Sequence, residues 1–99
     1  MGIDNTAIIG ATASIDRTAT IGAYAVVDAR ANIGACARIG ACAVIGAGAR
    51  IGRRARIGAG AYVGDGATVG DNVRVGDGAR VGLGVRLTGS LLAGAVADS

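Results

Sequence analysis

The sequence predicts an all-β fold, a solenoid of short strands with one strand and one turn per six residues, and three observations carry that prediction. A branched aliphatic stands at every sixth residue from Ile3 to Leu87 without an insertion. A fixed short period of this kind marks a stack of near-identical units. The residue two before the aliphatic is small, Ala at every repeat from Ala7 to Ala67 and then Val73, Ala79, Val85 and Leu91. The residue after it is Gly at Gly10, Gly22 and every repeat from Gly34 to Gly82, with Asp at Asp4, Asp16 and Asp28.

Each part of the hexad follows from these positions. Residues two apart on an extended chain point to one face, so the small residue and the aliphatic face inward while the residue between them faces out. The post-aliphatic Gly is expected to make the corner, because Gly and, less readily, Asp adopt turn conformations closed to other residues. Apolar spacings of two and four match no 3.6-residue helical stripe. Gly64-Asp65-Gly66 looks like a calcium-roll turn, but that repeat is nine residues long, not six. If three hexads make one turn, residues 18 apart stack and residues 3 to 92 form about five coils. After Leu87 the tail is expected to keep the hexad frame through Ala93, Gly94 and Ala97. Leu91 and Leu92 would partly cover the core, and the chain would fray beyond Ala95.

At 99 residues the chain reads as one domain, 1–99, with no linker. It is 52% hydrophobic, yet has neither an apolar run of about 20 residues to span a membrane nor a secretory leader, so a cytoplasmic location away from the membrane is expected. All ten basic residues are Arg and all seven acidic ones Asp. A net charge of +3 with only two aromatics is a weak basis for nucleic-acid binding, and none is expected. Cys36 and Cys42 lie one hexad apart, pointing out from adjacent faces, too distant for a disulfide, and are expected to be free thiols in a reducing compartment. The Ala, Gly, Val and Arg bias fits a GC-rich coding sequence, and the regularity fits a designed repeat equally well.

The three outward faces differ. The first carries Ile8, Tyr24, Val26, Cys42, Val44 and Tyr62, both aromatics of the chain and its exposed aliphatic ladder. A contiguous apolar patch on a small protein marks an interface, although β-branched residues also suit exposed strands for their own sake. The second carries Arg38, Arg54, Arg56 and Arg74. Stacked like charges need a compensating anion or water, so this face is either an anion-binding strip or a solvated basic surface. The third, with Ser14, Arg30, Asn32, Arg50, Thr68 and Arg86, reads as solvent surface.

Motifs such as Ile39-Gly40-Ala41-Cys42-Ala43-Val44 and Ile57-Gly58-Ala59-Gly60-Ala61-Tyr62 resemble the hexapeptide-repeat superfamily of trimeric acyltransferase-like proteins, and the resemblance covers about residues 3 to 97. It implies a left-handed parallel β-helix, a triangular prism of about five 18-residue coils. The superfamily's acyltransferases typically use a histidine as general base, and its carbonic-anhydrase-like members bind zinc through histidines. This chain has no His, so neither role has a residue to fall on. The sequence also lacks the loop excursions that enclose substrates in those enzymes.

From these readings the chain is expected to be a non-enzymatic scaffold or assembly module, with no catalytic residue, metal or cofactor, that self-associates through the Ile8, Tyr24, Val26, Cys42, Val44 and Tyr62 face, as a trimer in preference to a dimer. Two alternatives stay open. One is an acyltransferase-like protein or fragment binding acyl-coenzyme A along the Arg face. The other is the C-terminal β-helix of a sugar nucleotidyltransferase, suggested by Leu87-Thr88-Gly89-Ser90-Leu91-Leu92-Ala93-Gly94.

Overall fold

The computed structural model describes residues 2–97, and within them the chain is a left-handed parallel β-helix of about five 18-residue coils. Each strand is two residues long, the outward residue followed by the inward aliphatic, as in Arg38–Ile39, Val44–Ile45 and Arg50–Ile51. Successive strands pass to successive sides of the prism. One sheet stacks Gly2–Ile3, Thr20–Ile21, Arg38–Ile39, Arg56–Ile57 and Arg74–Val75. A second runs from Ile8–Ile9 through Val26–Val27, Val44–Ile45, Tyr62–Val63 and Arg80–Val81 to Val96–Ala97. The third runs from Ser14–Ile15 to Arg86–Leu87. All pairs are parallel, and Val26↔Val44 and Arg56↔Arg74 show the 18-residue register. The preference for right-handed crossovers rests on twisted strands feeding long connections, and two-residue strands joined by tight corners carry too little twist to enforce it.

The small and aliphatic positions fill the prism. Ala25, Ala43, Val27, Ile45 and Val63 are fully buried. In the first coil Ile3, Ile9 and Ile15 are only partly covered, because they have a neighbouring coil on one side alone. No helix among the described residues is long and apolar enough to cross a membrane.

The corners differ from the sequence expectation. Each is a four-residue turn such as Gly40 to Ala43, closed by the Ala43 N–H donating to the Gly40 carbonyl at 3.3 Å. The left-handed residue is the third, Cys42 at φ 62°, as a type II turn demands. From the second coil on, that position holds Tyr24, Arg30, Cys36, Cys42, Arg54 and Asn72, or Gly48, Gly60, Gly66, Gly78, Gly84 and Gly94, all with φ between 59° and 71°. The post-aliphatic Gly serves a different purpose. A Cβ on Gly40 would lie 2.6 Å from the Ala59 nitrogen, and one on Gly10 2.5 Å from the Ala29 nitrogen, so the next coil's backbone crosses where a side chain would stand.

The last coil also departs from expectation. Val75 bridges Leu91, and Arg80 and Val81 pair with Val96 and Ala97, sixteen residues on instead of 18. The chain drops two residues between Leu87 and Leu91, so Leu91 is itself the inward aliphatic and Ala93 sits in the turn. Leu92 falls where a post-aliphatic Gly would otherwise be required; it is 80% exposed and does not cover the core. Fraying beyond Ala95 is corrected as far as Ala97, since Val96–Ala97 is a paired strand. Asp98 and Ser99, the rest of that expected frayed end, lie outside the described residues.

Candidate functional site

The Arg face is built by register alone. Arg38, Arg56 and Arg74 are direct partners on three consecutive strands, each the outward member of its strand because the following residue is an inward Ile or Val. All three are exposed. Arg54 joins them from the corner before its strand, held at φ 59° with its N–H on the Ala35 carbonyl at 2.9 Å. Cys36 and Asn72 occupy the same corner one coil to either side, and a shallow furrow is lined by Cys36, Arg38, Arg54, Arg56, Asn72 and Arg74. Here the structure brings all four sequence-predicted arginines together. A companion hollow adds Arg53 and Asp16, which the sequence reading missed. The adjacent Arg53-Arg54 pair was the available signal, since a two-residue corner turns both side chains outward.

The first face divides in two. Ile8, Val26, Val44 and Tyr62 form one continuous outward ladder in sheet register, with Ile8 63% and Tyr62 40% exposed and the two valines half-buried between them. Tyr24 and Cys42 lie beside it in the corner column, where both have positive φ. Beyond Tyr62 the ladder meets Arg80 and then Val96.

Carboxylates at the corners are committed to backbone groups. In the first coil Asp4 and Asp16 each accept the N–H and the hydroxyl of the Thr two residues on, at 2.9 and 2.6 Å. The Thr hydroxyl bond first, and the Thr N–H bond second, hold both carboxyls below their ordinary value. Those same hydroxyls accept from the coil above, Thr6 from the Tyr24 N–H and Thr18 from the Cys36 N–H. Farther along, Asp65, Asp71 and Asp77 reach back to the N–H groups of Ala47, Arg53 and Ala59. Among the described residues no group of three His, Cys or carboxylate side chains is placed to hold a metal ion. Cys36 and Cys42 are free and exposed.

This geometry has counterparts among solved structures. The acetyltransferase domain of PglB from Neisseria gonorrhoeae matches with a TM-score of 0.81 at 19% identity, over 91% of this chain and 53% of that one. A mutant of the GDP-perosamine N-acetyltransferase from Caulobacter crescentus, in complex with CoA and GDP-perosamine, matches with a TM-score of 0.62 at 24% identity, over 92% and 52%. PerB from Caulobacter crescentus, also in complex with CoA and GDP-perosamine, matches with a TM-score of 0.52 at 25% identity, over 92% and 53%. The chain thus spans about half the length of these structures. No curated protein matches it in sequence.

These comparisons overturn the expectation of a non-enzymatic scaffold and favour its acyltransferase alternative, because several of the matched structures are acetyltransferases in complex with CoA or acetyl-CoA. The chain has no His and corresponds to only part of each of these matched structures. The family model for bacterial transferase hexapeptide (six repeats) matches residues 18–53 and 48–83, two-thirds of the sequence. The chain belongs to that hexapeptide family.

Proposed function

We propose that this chain is the β-helix of an acyltransferase-like hexapeptide protein that binds an acyl-coenzyme A, with the coenzyme's phosphates on Arg38, Arg54, Arg56 and Arg74. The observation that carries the reading is the in-register column of three exposed guanidiniums with Arg54 at its side. Such a column is unfavourable alone and favourable around phosphate, whose oxygens match the guanidinium fork. Family membership and the CoA-bound PerB structure support the same ligand. The furrow is shallow among the described residues, so a substrate pocket built on it would need walls from a second copy. The Ile8, Val26, Val44 and Tyr62 ladder, with Tyr24 and Cys42 beside it, is the surface we assign to that contact, in a trimer ahead of a dimer. We place the protein in the cytoplasm, where the exposed thiols of Cys36 and Cys42 stay reduced, with residues 1–99 folding as one unit.

Titration calorimetry with CoA tests the reading. A saturable isotherm is expected, weakened about tenfold by Arg56→Ser, since a charge-assisted hydrogen bond contributes about 1.5–3 kcal/mol. Arg50→Ser, on a different face, leaves it unchanged. An absence of saturable binding, or equal loss in both variants, rejects it.

A further inference from the structure

Arg38, Arg56 and Arg74 climb the prism as register partners, about 4.8 Å per strand, so the three rungs span about 10 Å along the prism axis. Arg54 flanks them from its corner, and the furrow between column and corner also runs along the axis, past Cys36 and Asn72. Two carboxylates border the face, Asp16 beside Arg54 and Asp77 beside the column, and corner hydrogen bonds hold both. Asp16 accepts from the N–H and hydroxyl of Thr18, and Asp77 accepts the Ala59 N–H. Corner hydrogen bonds, not the column, orient these negative charges.

Enclosed pockets select small ligands by shape. This furrow is shallow instead, and its column presents the same fork at three successive coils. The regular element is the strand spacing, so a matching ligand must carry negative charge at intervals along one line. We propose that the Arg38–Arg56–Arg74 furrow is a binding strip for a linear chain of at least three phosphates lying parallel to the prism axis. The repeat of a condensed phosphate chain is shorter than the strand spacing, so the flexible Arg38 and Arg74 arms converge on its two ends, Arg56 meets its middle, and Arg54 contacts the chain from the side. The proposal goes beyond the coenzyme reading and does not depend on it, because a lone diphosphate is too short to reach all three rungs.

The probes are orthophosphate, pyrophosphate and tripolyphosphate, titrated calorimetrically into the full chain over a series of KCl concentrations. Tripolyphosphate is expected to bind at least about tenfold more tightly than pyrophosphate. Tripolyphosphate affinity is expected to fall as KCl rises, because the contacts are between exposed charges. Arg56→Ser is expected to lower tripolyphosphate affinity about tenfold and to flatten the slope of that salt dependence. Arg56→Lys keeps the charge and the slope but loses affinity with the fork, and circular dichroism verifies that each variant retains its β spectrum. Arg50→Ser and Arg86→Ser are expected to change nothing. Equal affinity for pyrophosphate and tripolyphosphate, or equal losses in Arg50→Ser and Arg56→Ser, overturns the strip and leaves only diffuse charge attraction. Binding of CoA without a tripolyphosphate preference would sink this inference alone, whereas tripolyphosphate binding without CoA binding would sink only the coenzyme reading.

Discussion

Asp65 reaches back one coil to Ala47: its Oδ1 accepts the Ala47 N–H at 2.9 Å, in space left open by the missing side chain of Gly46. A Cβ on Gly46 would lie 2.6 Å from the Asp65 nitrogen. Gly48, two residues on, has φ +69° and open space around its missing Cβ. The two glycines therefore fail for different reasons. Gly48→Ala is expected to cost about 1–2 kcal/mol, the penalty of a left-handed L-residue. Gly46→Ala forces backbone apart and breaks the Asp65 bond, so its cost is expected to exceed that figure by about 1–3 kcal/mol. Urea unfolding of the two variants checks the order, and a larger loss at Gly48 would reverse the assignment.

The inward positions were legible because burial constrains them chemically, and Ala43 or Ile45 admits little else. The corner was legible only in its length. A Gly after each aliphatic has two explanations, positive φ and close approach, and sequence alone favoured the first. The true left-handed positions were hidden because exposed corners accept Tyr24, Cys36 or Arg54 at modest cost. The two-residue slip before Leu91 was hidden too, since Leu91, Leu92 and Ala93 satisfy either frame. The Arg site needed only the 18-residue offset to be seen, whereas Arg53 and Asp16 required knowledge of where the corner projects.

Inward and outward positions are expected to respond differently to substitution. Ala43 is fully buried between coils, and Ala43→Leu is expected to cost about 1–3 kcal/mol or more by overpacking. Arg50 is an exposed outward residue, so Arg50→Ser is expected to stay within about 0.5 kcal/mol of the parent. Thermal melts of both variants supply the comparison.

The first coil is expected to carry an acid-sensitive contribution to stability. Hydrogen bonds from Thr6 and Thr18 lower the carboxyl pKa of Asp4 and Asp16 below the ordinary 3.8. A lowered folded-state pKa means the stabilisation is complete above the unfolded value and is lost as pH falls through the folded one. Asn at both positions removes the titration. The parent is expected to be the more stable protein above about pH 5, with its advantage shrinking below pH 3.8 and vanishing in stronger acid. A gap that stays constant down to pH 2 would show that these carboxylates contribute nothing through ionisation.

Association through the first face has a direct test. Val44 and Tyr62 are register partners at the middle of the outward ladder, and Val44→Arg with Tyr62→Arg would place unpaired charge at the centre of the proposed contact, where desolvation is costly. Light scattering is expected to report a monomer, with the β spectrum retained. An unchanged mass would remove this face from the assembly.

The corner geometry makes a prediction of opposite sign to the usual effect of glycine. Arg30 occupies the third turn position at φ 62°, a conformation that costs an L-residue about 1–2 kcal/mol. Its backbone N–H bond to the Thr12 hydroxyl, 3.0 Å long, survives any substitution that keeps the N–H. Arg30→Gly relieves the left-handed strain and surrenders about 0.4–1 kcal/mol to the greater freedom of the unfolded chain. The net expectation is a change from neutral to about 1 kcal/mol more stable. Arg50 sits on a strand, where Gly relieves no strain and costs about 0.5–1 kcal/mol. Chemical denaturation of Arg30→Gly and Arg50→Gly therefore separates the two positions, with a loss at Arg50 alone, and a loss at Arg30 equal to that at Arg50 would mean that the left-handed residue lies elsewhere in the turn.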